Sequence, residues 1–209
     1  MAAFASANTA RANHARFPAA QNHANPQPMA RIRILGASGS GTSTLGSALA
    51  SRLGVPYADS DSFYWLATDP PYTTPRPPED RQALLVRNLP ADGDWVFSGA
   101  ATRWAAILEP YCDLVVFLRT DPAVRMARLR QREAARHGAR IQLGGDMVAI
   151  NAEFIAWAEA YDTAGSLHRG LIAHEAWLAD QPAPVLRLDS QLPVEDLVAA
   201  VLDKLWSLG

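Results

Sequence analysis

Apolar residues in this chain fall into short runs divided by turn-forming residues, and the period alternates between that of strands and that of helices. Arg31-Ile32-Arg33-Ile34-Leu35 reads as a strand entering a glycine-rich turn, and Thr44 to Leu53 follows as a helix that Gly54 stops. Val55 to Ala58 reads as a short second strand ending at Asp59, Ser60 and Asp61. Five prolines between Asp69 and Pro78 predict an irregular surface segment rather than a helix, and Glu79 to Leu89 resumes a helical pattern. Trp95-Val96-Phe97 reads as a strand running into Ser98-Gly99. Leu114 to Leu118 is the clearest buried strand, because its unbroken apolar run suits a parallel sheet covered on both faces. Asp121 before Pro122 predicts the capped start of an Arg-rich helix. Helices are expected around Met147 to Tyr161 and Leu171 to Ala179, then a last strand over Pro184 to Leu188 and a helix through Trp206. Five strands alternating with helices predict one α/β domain with a mostly parallel sheet.

Composition narrows the picture. The 209 residues suit one domain with a real core, and the charge of 19 basic against 21 acidic residues argues against a dedicated nucleic-acid binder. Residues 1 to 28 hold ten alanines, two arginines and no acid, with no sustained period. They read as a disordered extension, with a targeting peptide or a true start at Met29 as rivals. The folded unit is expected from residue 29 onward. Cys112 is the single cysteine, so neither a disulfide framework nor a thiolate metal cluster is expected. No apolar stretch approaches the roughly 20 residues that span a bilayer, so no membrane partner is expected and the cytoplasm is the default. Monomer and homodimer are not distinguished.

Candidate chemistry begins at Gly36-Ala37-Ser38-Gly39-Ser40-Gly41-Thr42-Ser43, between the first strand and helix. The phosphate-loop pattern is Gly, four residues, Gly, Lys, then Ser or Thr; this segment satisfies it except that Thr42 stands in the lysine position. Glycines let oxygens approach the main chain, and successive amides at a helix start bind an anion. Ser43 is placed to offer its hydroxyl to Mg²⁺, whereas Thr42 supplies only a neutral hydrogen bond. Lys204, the only lysine, lies in the last helix. A dinucleotide fold is the competing reading, but Ser38 occupies the place of its second glycine. The extra amides and hydroxyls from Gly39 through Thr44 favour a mononucleotide cradle.

With this loop, Asp59-Ser60-Asp61, the Arg-rich helix and Leu188-Asp189-Ser190 together, the chain resembles the nucleoside-monophosphate and shikimate-type kinases. Within them it looks most like bacterial adenylate-kinase-like ATP-binding proteins, over about Arg31 to Leu205. The resemblance implies a three-layer fold, ATP with Mg²⁺, and a mobile lid, here near residues 136 to 146. It implies that one of Asp59 and Asp61 serves the Mg²⁺ shell and the other the acceptor, with Asp59 assigned to metal and Asp61 to acceptor orientation or proton removal. Those roles are exchangeable, and capping or turn formation explains the same residues. Arg128 and Arg132 match lid arginines that grip ATP phosphates, and Arg136 or Arg140 would reach inward on closure. Such a cluster would partly replace the missing lysine; a solvated amphipathic helix is the alternative. Arg103 is a candidate clamp for phosphate or carboxylate, and Arg76 a second anion contact. Ser190 and Gln191 match the loop beside the ATP base. The expectation is an ATP-dependent kinase acting on a nucleoside monophosphate or another small polar metabolite, the alternative a noncatalytic ATP-binding protein. The histidines are scattered and suggest no zinc site.

Overall fold

The computed structural model describes residues 29–165 and 169–208; the expected extension over 1–28 lies outside them. Five strands, β1 (Arg31–Gly36), β2 (Tyr57–Asp59), β3 (Trp95–Ser98), β4 (Leu114–Arg119) and β5 (Val185–Asp189), form one sheet in the order β2-β3-β1-β4-β5. Every pairing is parallel, as β1, β3 and β4 require by being buried on both faces. Helices α1 (Thr42–Leu53), α2 (Ser60–Tyr64), α3 (Pro78–Asn88), α4 (Pro122–His137), α5 (Val148–Glu159), α6 (Leu171–Ala179) and α7 (Val194–Trp206) fill the connections. The expected α/β architecture is therefore the one observed.

Two layers of helices sandwich the sheet. Ile32, Ile34, Val96, Val116 and Leu118 point to one face and pack with Leu45 and Leu49 of α1 and Leu197, Val201 and Leu205 of α7. On the other face, Trp95 and Phe97 pack with Phe63 and Leu85, and Val115 and Phe117 with Leu178 of α6. Alternation along each strand divides the two cores. Arg33 breaks the apolar pattern and is 3% exposed; its guanidinium lies 4.6 Å from the Trp177 ring centroid and 3.6 Å from Glu109 Oε1.

Several boundaries differ from the sequence reading, each for a local reason. The first helix starts at Thr42, two residues early, because Gly41 takes a left-handed φ of 88° and turns the loop directly into the helix. The second strand runs 57–59, so that Asp59 ends it. The chain then leaves the extended state: Asp59 caps α2, and Asp61 sits in that helix's first turn. The two acids are thus not side by side on an extended end. The proline-rich segment is irregular as expected, but its ends meet through a Trp65–Pro75 bridge and Leu66 N–H donating to the Thr74 carbonyl at 2.9 Å. The predicted helix through Tyr161 is α5 followed by a tighter turn over Ala160–Asp162.

Under the β4 face, His174 of α6 is 1% exposed, and its Nδ1 shares a 2.8 Å hydrogen bond with the Tyr161 hydroxyl. Burial, with Arg169 nearby, depresses its pKa from the ordinary 6.5 to about 4. The unfolded chain then takes up a proton before the native state does, so stability is complete above 6.5 and declines as pH falls toward about 4. Urea unfolding at stepped pH should show this decline flattened in His174→Phe; the same slope in wild type and variant would assign it elsewhere.

Candidate active site

Because all strands run the same way, their C-terminal ends collect along one edge of the sheet. There Gly36 ends β1, Asp59 ends β2, Ser98 ends β3, Arg119 ends β4 and Asp189 ends β5. The register sets Asp59 beside Ser98 and Arg119 beside Asp189. In open parallel sheets this edge is where ligands bind.

The loop from Gly36 to Ser43 wraps this edge. Ser40 N–H donates to the Ala37 carbonyl at 3.0 Å, closing a turn, and Leu45 N–H donates to the Gly41 carbonyl at 3.0 Å, opening α1. Gly39 has a φ of 88°, and a Cβ there would stand 2.6 Å from the Arg125 carbonyl, so the turn fits glycine alone. Ser38, Gly39, Gly41 and Thr42 are half-buried, Ser43 and Thr44 are exposed, and Gly36 and Ser40 are buried. Among the described residues no side chain caps the start of α1, leaving its first amides without one.

Ser43 and Asp59 come together. Ser43 Oγ donates to Asp59 Oδ2 at 2.6 Å, and the same oxygen lies 3.2 Å from the Tyr57 hydroxyl and 3.3 Å from Ser98 Oγ. Asp59 Oδ1 accepts from the Asp61 amide at 3.0 Å. One carboxylate is therefore oriented from both sides. The Tyr57 phenol is held neutral, its pKa pushed up to about 12 by burial.

Asp61 is reached by water yet enclosed by protein on several sides. That enclosure raises its pKa above the ordinary carboxylate range, and the Asp59 charge adds to the rise; Arg169, Arg132 and Arg136 oppose it. Three guanidiniums thus act on the acid through their charge. Sequence reasoning foresaw Arg132 and Arg136 but missed Arg169, which precedes α6 and belongs to no motif. The Arg169 guanidinium lies 5.0 Å from the Trp157 ring centroid.

The remaining candidates divide. Arg128 Nη1 donates to the Ser190 carbonyl and Oγ at 3.1 and 3.2 Å, and Ser190 Oγ meets Thr120 Oγ1 at 2.5 Å. Arg128 therefore braces the loop after β5, with Gln191 exposed beyond it and its amide donating to Asp189 Oδ1 at 2.9 Å. Arg132 pairs with Glu133 at 2.9 Å. Arg140 is drawn outward, bridging Asp146 at 2.5 Å and Asp69 at 2.6 Å, so it ties the 138–146 turn to the proline-rich segment. Arg76 donates from Nε to the Phe63 carbonyl at 3.0 Å, holding the end of α2. Arg103 is exposed beyond Gly99. Tyr64, Trp65, Tyr72 and Trp104 line up as neighbouring rings beside α2, Tyr64 and Trp65 at 4.7 Å and Tyr64 and Trp104 at 5.9 Å, with Arg81 4.2 Å from the Tyr64 ring. Cys112 is a protonated thiol, pushed up to about 12 by burial.

The chain is similar to several known proteins. Shikimate kinase from Acinetobacter baumannii, solved in complex with shikimate, superposes with a TM-score of 0.50 at 18% identity, over 86% of this chain and 94% of that one. Shikimate kinase from Bacteroides thetaiotaomicron aligns at 20% identity and TM-score 0.49, over 85% and 98%. The likeness to the first is one of fold. YqaC of Bacillus subtilis (strain 168), an uncharacterized protein, is 42% identical over 176 residues, 84% of this chain and 97% of its own. The family described as AAA domain matches residues 32–147, more than half the chain, and the chain belongs to it.

Proposed function

We propose that the protein is an ATP-dependent small-molecule kinase. The nucleotide phosphates lie on the amides of Gly36 to Ser43, and the base rests near Ser190 and Gln191. The acceptor is a nucleoside monophosphate or another small polar metabolite, held by Asp61 and the arginines around it. The observation carrying this reading is the pairing of a phosphate-loop hydroxyl with a strand-end carboxylate, Ser43 Oγ to Asp59 Oδ2 at 2.6 Å, with Asp61 and its guanidiniums alongside.

Mg²⁺ fits this donor set, since it is usually held by one or two protein oxygens with water filling the rest. Ser43 and Asp59 would hold it, and it would screen the phosphate charge during transfer. Asp61 orients the acceptor hydroxyl and takes its proton, helped by a raised pKa. Arg132 and Arg136 come from the helix leading into the 138–146 turn and oppose negative charge from the far side of the site. Arg128 acts at the base, through Ser190. Arg103 and Arg76 are assigned to the acceptor rim, and Arg140 is freed for substrate when its ion pairs with Asp69 and Asp146 open.

The test is Mg²⁺-dependent ADP formation across a broad acceptor panel, with ATP affinity measured in parallel. Acceptor-stimulated turnover supports a kinase. Tight ATP binding with no stimulation by any acceptor supports the second reading, a noncatalytic nucleotide-binding protein, which Thr42 in the lysine position favours. Thr42→Lys, at the first residue of α1, should strengthen ATP binding by about tenfold through one added charge at the phosphates, read by calorimetry.

A further inference from the structure

Arg125 shares its helix and its spacing with Arg128, Arg132 and Arg136, but the fold treats it differently. It is 1% exposed, among the largest fully buried side chains. Nη1 donates to the Ala158 carbonyl at 2.9 Å and lies 3.5 Å from the Ser38 carbonyl and 3.4 Å from Met126 Sδ. Nη2 pairs with Asp162 Oδ2 at 2.9 Å, and Nε is buried with no hydrogen-bond partner among the described residues. The Tyr161 ring centroid lies 5.3 Å from the guanidinium. The stem of the same side chain is pressed against the loop, for a Cβ on Gly39 would stand 3.3 Å from Arg125 Cγ.

A desolvated cation is thus wedged behind the Ser38–Gly39 turn. A brace alone does not call for charge, since an apolar side chain of similar volume fills such a space without the cost of dehydrating an ion. Nor is the charge fully cancelled at the loop. Among the described residues its one carboxylate partner, 26% exposed, sits on Nη2, while Nη1 bonds the Ala158 carbonyl and lies 3.5 Å from the Ser38 carbonyl of the loop. The positive end of the pair is therefore turned toward the main chain that forms the cradle.

We propose that Arg125 is a fixed counter-charge for the anion held on residues 36–43, acting from behind the loop, where Thr42 brings no charge from the front. The proposal rests on reading that loop as a phosphate cradle. Arg125 touches no reacting atom; it is a positioning residue that sets the potential at the site.

The experiment is calorimetric titration of the full chain with MgATP, wild type against Asp162→Asn, Arg125→Gln and Arg125→Lys, each checked for folding by thermal melting. Removing the Asp162 charge leaves Arg125 uncompensated and should tighten MgATP about fivefold, whereas Arg125→Gln should weaken it by at least about as much. Arg125→Lys should recover most of the loss. A purely mechanical brace predicts the reverse sign for Asp162→Asn, because loosening the guanidinium loosens the loop. Folded Asp162→Asn binding MgATP no tighter than wild type overturns the proposal. If that variant fails to fold, the Lys and Gln variants decide: equal weakening by both overturns it, and recovery by Lys alone supports it. A wild-type chain that does not bind MgATP removes the cradle reading, and this inference with it.

Discussion

Asp61→Asn should reduce phosphoryl transfer by about 10²- to 10⁴-fold, the usual worth of a positioned general base, while MgATP affinity stays within about twofold. The split follows from where Asp61 stands. Asp59, not Asp61, meets the loop hydroxyl of Ser43 and caps α2. Asp61 instead stands in that helix's first turn, where the charges of Arg169, Arg132 and Arg136 act on it. Its pKa is raised in the folded state, so its ionised form is disfavoured there relative to the unfolded chain. The neutral amide removes that penalty, and the variant should be as stable as wild type or slightly more so above the ordinary carboxylate range. Lost turnover with undiminished stability separates chemistry from misfolding. A coupled ADP assay, a titration and a urea melt on one preparation give all three readings. Unchanged transfer would transfer the base role to another group, Asp59 first.

Gly99→Ala should be strongly damaging for a single added methyl. Gly99 follows β3 with a φ of 107°, and a Cβ there would stand 1.9 Å from Ser60 Oγ and 2.8 Å from Ser60 Cβ. The hydroxyl can rotate away, but the Cβ belongs to the first residue of α2, between the two acids, and is buried. Relief requires α2 to move off the sheet, carrying Asp59 away from Ser43 and Asp61 away from its arginines. Overpacking together with the positive φ should cost about 2–4 kcal/mol, a large share of the stability of a domain this size. Turnover should fall further than that loss of folded protein explains. Ser60→Gly added to Gly99→Ala removes the colliding atoms and should restore most of the activity, leaving only the φ cost. A double variant as impaired as the single one would place the damage in the backbone angle.

The strands were legible because burial on both faces writes itself as uninterrupted apolar runs. Leu114 to Leu118 and Trp95 to Phe97 have no alternative reading. The glycine-rich turn before α1 was legible because its glycines answer a local backbone demand. Helix α2 was not, being five residues of Ser-Asp-Ser-Phe-Tyr, too short for a period. It exists because Asp59 caps it and Phe63 packs edge-on against Phe97 at 6.1 Å between ring centroids. Arg169 gave no signal at all, since its approach to Asp61 joins positions 108 residues apart in sequence numbering.

The arginines of α4 show where periodicity stops informing. Spacing of three and four puts Arg125, Arg128, Arg132 and Arg136 on one face, and in that respect the pattern reads correctly. Angle around the axis says nothing of what the face meets along its length. The first turn passes behind the phosphate loop and buries Arg125, the next position reaches Ser190, and the later ones look toward Asp61. By itself, then, the amino-acid order determined the alternating elements, the parallel sheet and the glycine-rich turn before α1, because each depends on neighbours within a few residues. Only the tertiary structure decided which carboxylate meets Ser43, which arginines face Asp61 and which one is buried, because those outcomes depend on strand order, which carries β2 to the edge beyond β3 and sets α4 across the loop.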